Sequence, residues 1–319
     1  MSEAVKARLC RFDHPTNLKH ISRVLGACQV IHARLINIRS IFFHPTSKTR
    51  IILISMMYFL FAQSPAFAQN SQEDLRKIAR NPFADEIELP FVEDVTFSQG
   101  PFSRNANSLQ LQPLFPISIT GDWLLVTRIV TTAIVYQPNS VASSGGTTGF
   151  GDTTISFFLT PTRPGRLVWG FGPAVLIPTA TSDQLGAGKW GLGPAIALLE
   201  EPEWGSFGVL IQNVWSVAGS SSRSPVNQLQ LEPMFSYDLP RGWYLLSEPT
   251  ITADWTQPRE RWLLPIGGGV GRSFDIGKQA IDSNLAAYWY SVRPINQPKW
   301  QLSLQFTFLF PKHPGISNH

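Results

Sequence analysis

The stretch WQLSLQFTFLF, residues 300–310, decides the fold. Trp300, Leu302, Leu304, Phe306, Phe308 and Phe310 share one face of an extended chain, and Gln301, Ser303, Gln305 and Thr307 share the other. Strict alternation of this kind is the mark of a strand with one apolar and one polar surface. Two more segments repeat it. Leu229, Leu231, Pro233, Phe235 and Tyr237 oppose Gln228, Gln230, Glu232, Met234 and Ser236, and Thr153, Ile155, Phe157 and Leu159 oppose Asp152, Thr154, Ser156 and Thr160. Working outward from these segments gives about 12 strands, near 89–98, 108–119, 123–136, 150–160, 166–178, 190–199, 205–218, 226–237, 242–255, 261–273, 279–292 and 299–310. Short turns (120–122, 161–165, 200–204, 238–241, 274–278) alternate with longer loops rich in Gly, Ser, Asn or Pro (137–149, 179–189, 219–225). An even strand count with short turns on one rim and longer loops on the other is the pattern of an outer-membrane antiparallel β-barrel. A secreted β-sandwich shares the alternation, so periodicity alone leaves both open.

Tryptophan placement separates them. Trp123, Trp169, Trp204 and Trp243 fall at the short-turn ends of the strands, and Trp190, Trp215, Trp255, Trp262, Trp289 and Trp300 at the long-loop ends. A soluble core places its largest rings at mid-strand, whereas indoles at both ends of an aliphatic band are the girdles of a bilayer-spanning barrel. Pro113, Pro173, Pro194, Pro233, Pro249 and Pro265 lie inside the strands and remove ladder donors, so each should mark a bulge or bend.

Residues 1–68 hold nine Lys/Arg and two Asp/Glu, whereas residues 69–319 hold 17 against 20, so the whole-chain charge of +4 describes neither part. Lys48 and Arg50, the apolar run Ile51–Ala62 and the small-x-small site Ala66-Phe67-Ala68 form a signal peptide over 48–68, with cleavage expected after Ala68. The apolar run is too short for a spanning helix. The basic extension 1–47 has no helical period and resembles no domain; a start codon placed too far upstream accounts for it, with a mitochondrial-type targeting segment as the runner-up. Residues 69–88 form a leader in which Ser71 to Arg80 could be a short helix with Ser71 as N-cap, plugging the lumen or lying beside the rim. The barrel runs over 89–310, and 311–319 is a tail.

Residues 109–138 match 229–258 at 11 of 30 positions, so duplication of a six-stranded half stands beside shared hairpin constraints as an explanation. In that alignment Arg128 faces Glu248. Both have interior parity, and a lumen network of Arg128, Asp152, Glu232, Glu248, Asp254, Arg272 and Asp282 is expected, because enclosed charges need partners. It could be structural filling or the lining of a solute path.

Enzyme classes find little support. No histidine lies between His44 and His313, which removes His-activated nucleophiles from the barrel. Asp183, Asp254 and Glu260 are scattered and form no catalytic pair. Both cysteines, Cys10 and Cys28, precede the signal, so no metal site and no cofactor is expected. The Gly-rich run 267–271 lacks phosphate-loop context, and a net charge of −3 over residues 69–319 removes the case for nucleic acid.

Several stretches in order, DLRKIARNPFADEIELPF (74–91), LQLQPLFPISITGDWLLVTR (109–128), WGFGPAVLIPTAT (169–181), GAGKWGLGPA (186–195), GWYLLSEPTITADW (242–255), LPIGGGVGRSFDIGKQ (264–279) and WQLSLQFTFLFPK (300–312), resemble the outer-membrane transporters associated with the meta-cleavage pathway of phenol degradation, whose members sometimes carry the label neuromedin U. The resemblance covers 72–312 and implies a β-barrel, an outer-membrane location and passage of small, often aromatic or apolar compounds. It transfers no binding residues. The extension 1–47 and the tail after the terminal aromatic strand depart from the family pattern. The expected function is therefore a channel for small organic solutes, passive or gated; a plugged structural or adhesive barrel acting through its loops is the alternative. Membrane lipids, lipopolysaccharide and the assembly machinery of the outer membrane are the expected partners.

Overall fold

The computed structural model describes residues 86–277 and 279–311. The basic extension, the signal peptide, the helix expected over 71–80 and the tail beyond Pro311 lie outside the described residues. The strands are β1 (Glu86–Gln99), β2 (Arg104–Leu111), β3 (Leu114–Ser118), β4 (Trp123–Pro138), β5 (Gly146–Gly149), β6 (Thr153–Pro161), β7 (Leu167–Ile177), β8 (Lys189–Glu200), β9 (Gly205–Gly219), β10 (Asn227–Asp238), β11 (Trp243–Ser247), β12 (Ile251–Asp254), β13 (Trp262–Ile276), β14 (Gln279–Val292) and β15 (Trp300–Pro311).

They close into a 12-stranded antiparallel barrel. β2 with β3, and β11 with β12, each act as one staff, and β5 extends the β4 hairpin beyond the rim. Closure is made by β1 with β15 and by β10 with β9. WQLSLQFTFLF pairs along its whole length, with Phe91 opposite Phe306 and Phe97 opposite Trp300. Its two faces become the two surfaces of the barrel wall. Outward side chains on β8 are Trp190, Leu192, Ile196 and Leu198, with Trp190 45% exposed, while inward Ala195, Ala197 and Leu199 are buried.

The prolines are accommodated in four ways. Pro113 and Pro249 sit in the breaks between β2 and β3 and between β11 and β12, and Pro265 adjoins a register shift in the β13–β14 ladder. Pro173 stands opposite Pro194. Beside that pair the β6–β7 ladder lapses between Ser156 and Leu159, and the β8–β9 ladder between Leu192 and Ala195, because neither ring has an N–H to offer the next strand. Pro233 stays within its ladder opposite Val209.

Candidate functional site

The outer surface carries aromatic rings at both strand ends. At the long-loop rim Trp289 is the register partner of Trp300, and Trp255 meets Trp262 edge-on with centroids 5.6 Å apart. At the short-turn rim Trp123, Trp169 and Phe171 form one group, and Trp204 packs with Phe207, Phe235 and Tyr237 at 5.9–6.3 Å. From Phe207 to Trp215 on β9 the strand climbs eight residues. At a tilt of about 40° this spans roughly 21 Å along the barrel axis, close to the height of a hydrocarbon core.

Two outward polar residues escaped the sequence pattern. Arg272, expected in the lumen, is the register partner of Trp243 and of Ser283, both on the outward face, and its guanidinium lies over the Trp243 ring at 5.4 Å. β13 keeps one parity from the exposed Trp262 and Ile266 through to Arg272, since the extra residue at the Pro265 register shift, Ser291, lies on β14; charge alone suggested the lumen, and the count along the strand places Arg272 outside. Glu93 also points outward, opposite Leu304 on one side and Leu109 on the other, and accepts a hydrogen bond from Asn107 Nδ2 at 3.0 Å.

The inward surface has two unlike walls. From β6 to β9 it is mainly apolar, interrupted by Ser156 and Gln212: Phe158, Val168, Ala174, Ala195, Ala197, Leu199, Leu210 and Val214 belong to one buried cluster that also takes in Leu114 and Val126. The opposite arc sets polar groups among inward Val92, Leu246, Ala286 and Leu309. Asp94 is the register partner of Ser303 and lies beside Gln301, and the Tyr288 hydroxyl accepts the backbone N–H of Glu248 at 3.1 Å. Lower on the same arc, Asp282 accepts from Tyr244 Oη at 2.6 Å and Ser273 Oγ at 2.5 Å, all three side chains being buried.

A chain of side chains crosses between the walls. Arg128 on β4 pairs with Glu232 on β10, Nη2 to Oε2 at 3.1 Å, and donates from Nη1 to Oε1 at 3.3 Å. Nη2 also donates to Gln112 Oε1 at 2.9 Å, and Gln112 in turn donates to Gln110. On the far side Gln230 Nε2 donates to Glu232 Oε1, Gln212 Nε2 to Gln230 Oε1 at 3.1 Å, and Ser156 Oγ to Gln212 Oε1 at 2.8 Å. Ser156 is the register partner of Arg128, so the chain returns to where it began.

The expected network therefore divides. The structure brings Arg128 and Glu232 together, but places Glu248 beside Tyr288 rather than on Arg128. Asp282 belongs to the Tyr244 cluster. Asp254 ends β12 and folds over its own turn, accepting from Thr256 N at 3.0 Å and Thr256 Oγ1 at 2.6 Å. Asp152 organises an outer loop, accepting from Ala180 N at 3.2 Å and Ala187 N at 2.5 Å. The glutamines that complete the cross-lumen chain were missed, although Gln110, Gln112, Gln212 and Gln230 all carry interior parity and an amide can both donate and accept.

The long loops are tied to one another. Arg223 from the β9–β10 loop donates to the carbonyls of Asp183, Gly186 and Ala187 and pairs with Asp183 at 3.7 Å. Phe150 N donates to Thr181 Oγ1 at 3.1 Å, and Thr147 Oγ1 donates to Gln184. A small recess of about 120 Å³ remains between Asp152, Ala180, Asp183 and Gly186. No group of His, Cys, Asp and Glu among the described residues is arranged to hold a metal.

No family profile matches the chain. No curated protein matches it either. Among solved structures it is similar to an outer membrane channel from Pseudomonas putida F1, with 17% identity over 70% of this chain and 95% of that one and a TM-score of 0.54. That likeness shows the fold: a 12-stranded barrel of the outer-membrane type. Outer membrane phospholipase A from Escherichia coli (12% identity, 70% and 97% covered, TM-score 0.36) and the Pseudomonas putida toluene transporter TodX (8%, 77% and 93%, 0.35) are more distant barrels.

Proposed function

We propose that this chain is an outer-membrane channel for small organic solutes, with apolar and aromatic compounds favoured, and that its short turns face the periplasm. The carrying observation is the two-sided lumen. A lumen lined by polar groups alone serves hydrophilic solutes, whereas the buried wall of Phe158, Val168, Ala174, Ala195, Ala197 and Leu199 offers an apolar solute a surface on which it loses little when it leaves the bilayer or a lipid. The polar wall opposite, with Asp94, Tyr288 and Gln301, gives a hydroxyl or amide on the same solute a partner. The resemblance to the phenol-degradation group and the likeness to an outer membrane channel support the same reading. The chain enters the outer membrane after removal of the signal peptide, among lipid and lipopolysaccharide, with the terminal aromatic strand as the element the assembly machinery engages.

Protein refolded from Gln69 into liposomes should admit aromatic acids faster than sugars of the same mass in a swelling assay. Swelling no faster than that of protein-free vesicles for every solute would sink the proposal. A second reading, a barrel that works through its surface loops, draws on the ties that Arg223 and Asp152 make between loops. It predicts no flux and a binding defect when residues 139–145 are deleted.

A further inference from the structure

The cross-lumen chain constrains the shape of the barrel. Twelve strands spaced about 4.8 Å apart and tilted about 40° would form a circle of roughly 12 Å radius. β4 and β10 are five strands apart in the closed order, so on that circle their backbones would stand about 23 Å from each other. An arginine and a glutamate, fully extended and in hydrogen-bond contact, span no more than about 15 Å between α carbons. The 3.1 Å Arg128–Glu232 pair thus requires the section to be flattened by roughly 8 Å at this level. A second chord agrees. β6 and β9 are three strands apart, about 17 Å on a circle, yet Ser156 and Gln212 touch at 2.8 Å with a combined reach of about 10 Å. The wall enclosed by the two chords carries Ala174 and Ala195 at 0% and 1% exposure on its inward face, small enough for the chords to close over them.

Just toward the short turns lies the apolar cluster: Val126 is the register partner of Phe158, and Val168 that of Leu199. The ion pair therefore stands at the mouth of the apolar wall, where the polar arc and the apolar arc meet.

We propose that the Arg128–Glu232 ion pair, held by Gln112 and Gln230, is the latch that sets the resting width of this lumen. While it is closed, the flattened section keeps the apolar wall shielded. Once it is released, the barrel rounds and a solute reaches Phe158 and Leu199. The proposal rests on the channel reading above, and its test has one arm that does not depend on flux. The side chains of Arg128 and Glu232 bond only to other side chains, so neutralising them leaves the backbone ladder intact; folding of every variant is checked by heat-modifiable migration on a gel.

In planar bilayers Arg128→Gln and Glu232→Gln should each raise single-channel conductance roughly twofold or more, and the exchange Arg128→Glu with Glu232→Arg should return it toward the parent value. Residues 69–319 contain no cysteine, so Val126→Cys with Met234→Cys, each two residues from the ion pair toward the short turns, gives two unique thiols with Arg128 and Glu232 left in place. A rigid bis-maleimide spanning about 10 Å should join them in folded protein, whereas walls about 23 Å apart on a circular section would leave them unjoined. Cross-linking with unchanged conductance in both neutral variants overturns the latch while leaving the flattened shape and the channel. Failure to cross-link in folded barrels overturns the geometry itself. Cross-linking with no conductance in any form, parent included, counts against the channel reading, and the latch falls with it.

Discussion

Replacing Gly271 by alanine puts a methyl group into the ring of Tyr244. Gly271 faces inward on β13 as the register partner of Tyr244, and a β carbon there would stand 2.6 Å from Tyr244 Cε2 and closer still to Cζ and the hydroxyl. The ring has nowhere simple to go: it is 2% exposed and its hydroxyl donates to Asp282 at 2.6 Å. Moving it strains the packing, at about 1–3 kcal/mol, and breaks a hydrogen bond to a carboxylate, at about 1.5–3 kcal/mol. Against this, alanine stiffens the unfolded chain relative to glycine by about 0.5–1 kcal/mol. The net loss should be about 2–5 kcal/mol. Equilibrium unfolding in urea, followed by tryptophan fluorescence of the refolded barrel, measures it. Tyr244→Phe should lose only the hydrogen-bond part, because the ring stays and Ser273 still donates to Asp282. In the double variant with Tyr244→Ala the new methyl group has room, so the two losses should fall short of additive by at least about 1 kcal/mol. A Gly271→Ala barrel within about 0.5 kcal/mol of the parent, or strict additivity with Tyr244→Ala, would refute the close-packing argument.

Three other substitutions test the outer surface and the loops. Glu93 lies four residues from Phe97, whose partner is the girdle residue Trp300, so it sits roughly 10 Å inside the apolar band. Glu93→Lys should lower the unfolding free energy by about 2–4 kcal/mol, while Glu93→Gln, which keeps an acceptor for Asn107, should change it by less than about 1 kcal/mol. Arg272→Ala should lose about 0.5–1 kcal/mol in the same unfolding assay and leave conductance untouched, since the side chain lies over Trp243 on the outside; altered ion selectivity would return Arg272 to the lumen. Arg223→Ala removes a tie from Asp183, Gly186 and Ala187, and residues 178–188 of reconstituted protein should be cut roughly tenfold faster by an external protease, with no change in the melting of the barrel.

The lumen explains why pairs cannot be read by alignment. Arg128 and Glu248 occupy matching positions of the internal repeat and both point inward, yet Glu248 reaches Tyr288 and Arg128 reaches Glu232. Parity tells which side of the wall a residue occupies. It carries no information on which residues meet across the lumen, because that depends on the shape of the closed section.

Sequence by itself determined the barrel wall. The alternation in 300–310, the turn residues and the tryptophans at both strand ends are local, since a strand has a period of two and a ring at the bilayer surface needs only its own position along the strand. Charge is a weaker guide than strand period: Arg272 shares the parity of the exposed Trp262 and Ile266, and its guanidinium lies over the Trp243 ring on the outer face. The tertiary structure alone decided the division of the lumen into an apolar and a polar wall, the chain of glutamines joining Arg128 to Ser156 through Glu232, and the flattened section they imply. Those features arise from residues brought together only when the barrel closes. Residues 128 and 232, 104 apart in the chain, become neighbours because the section is not round.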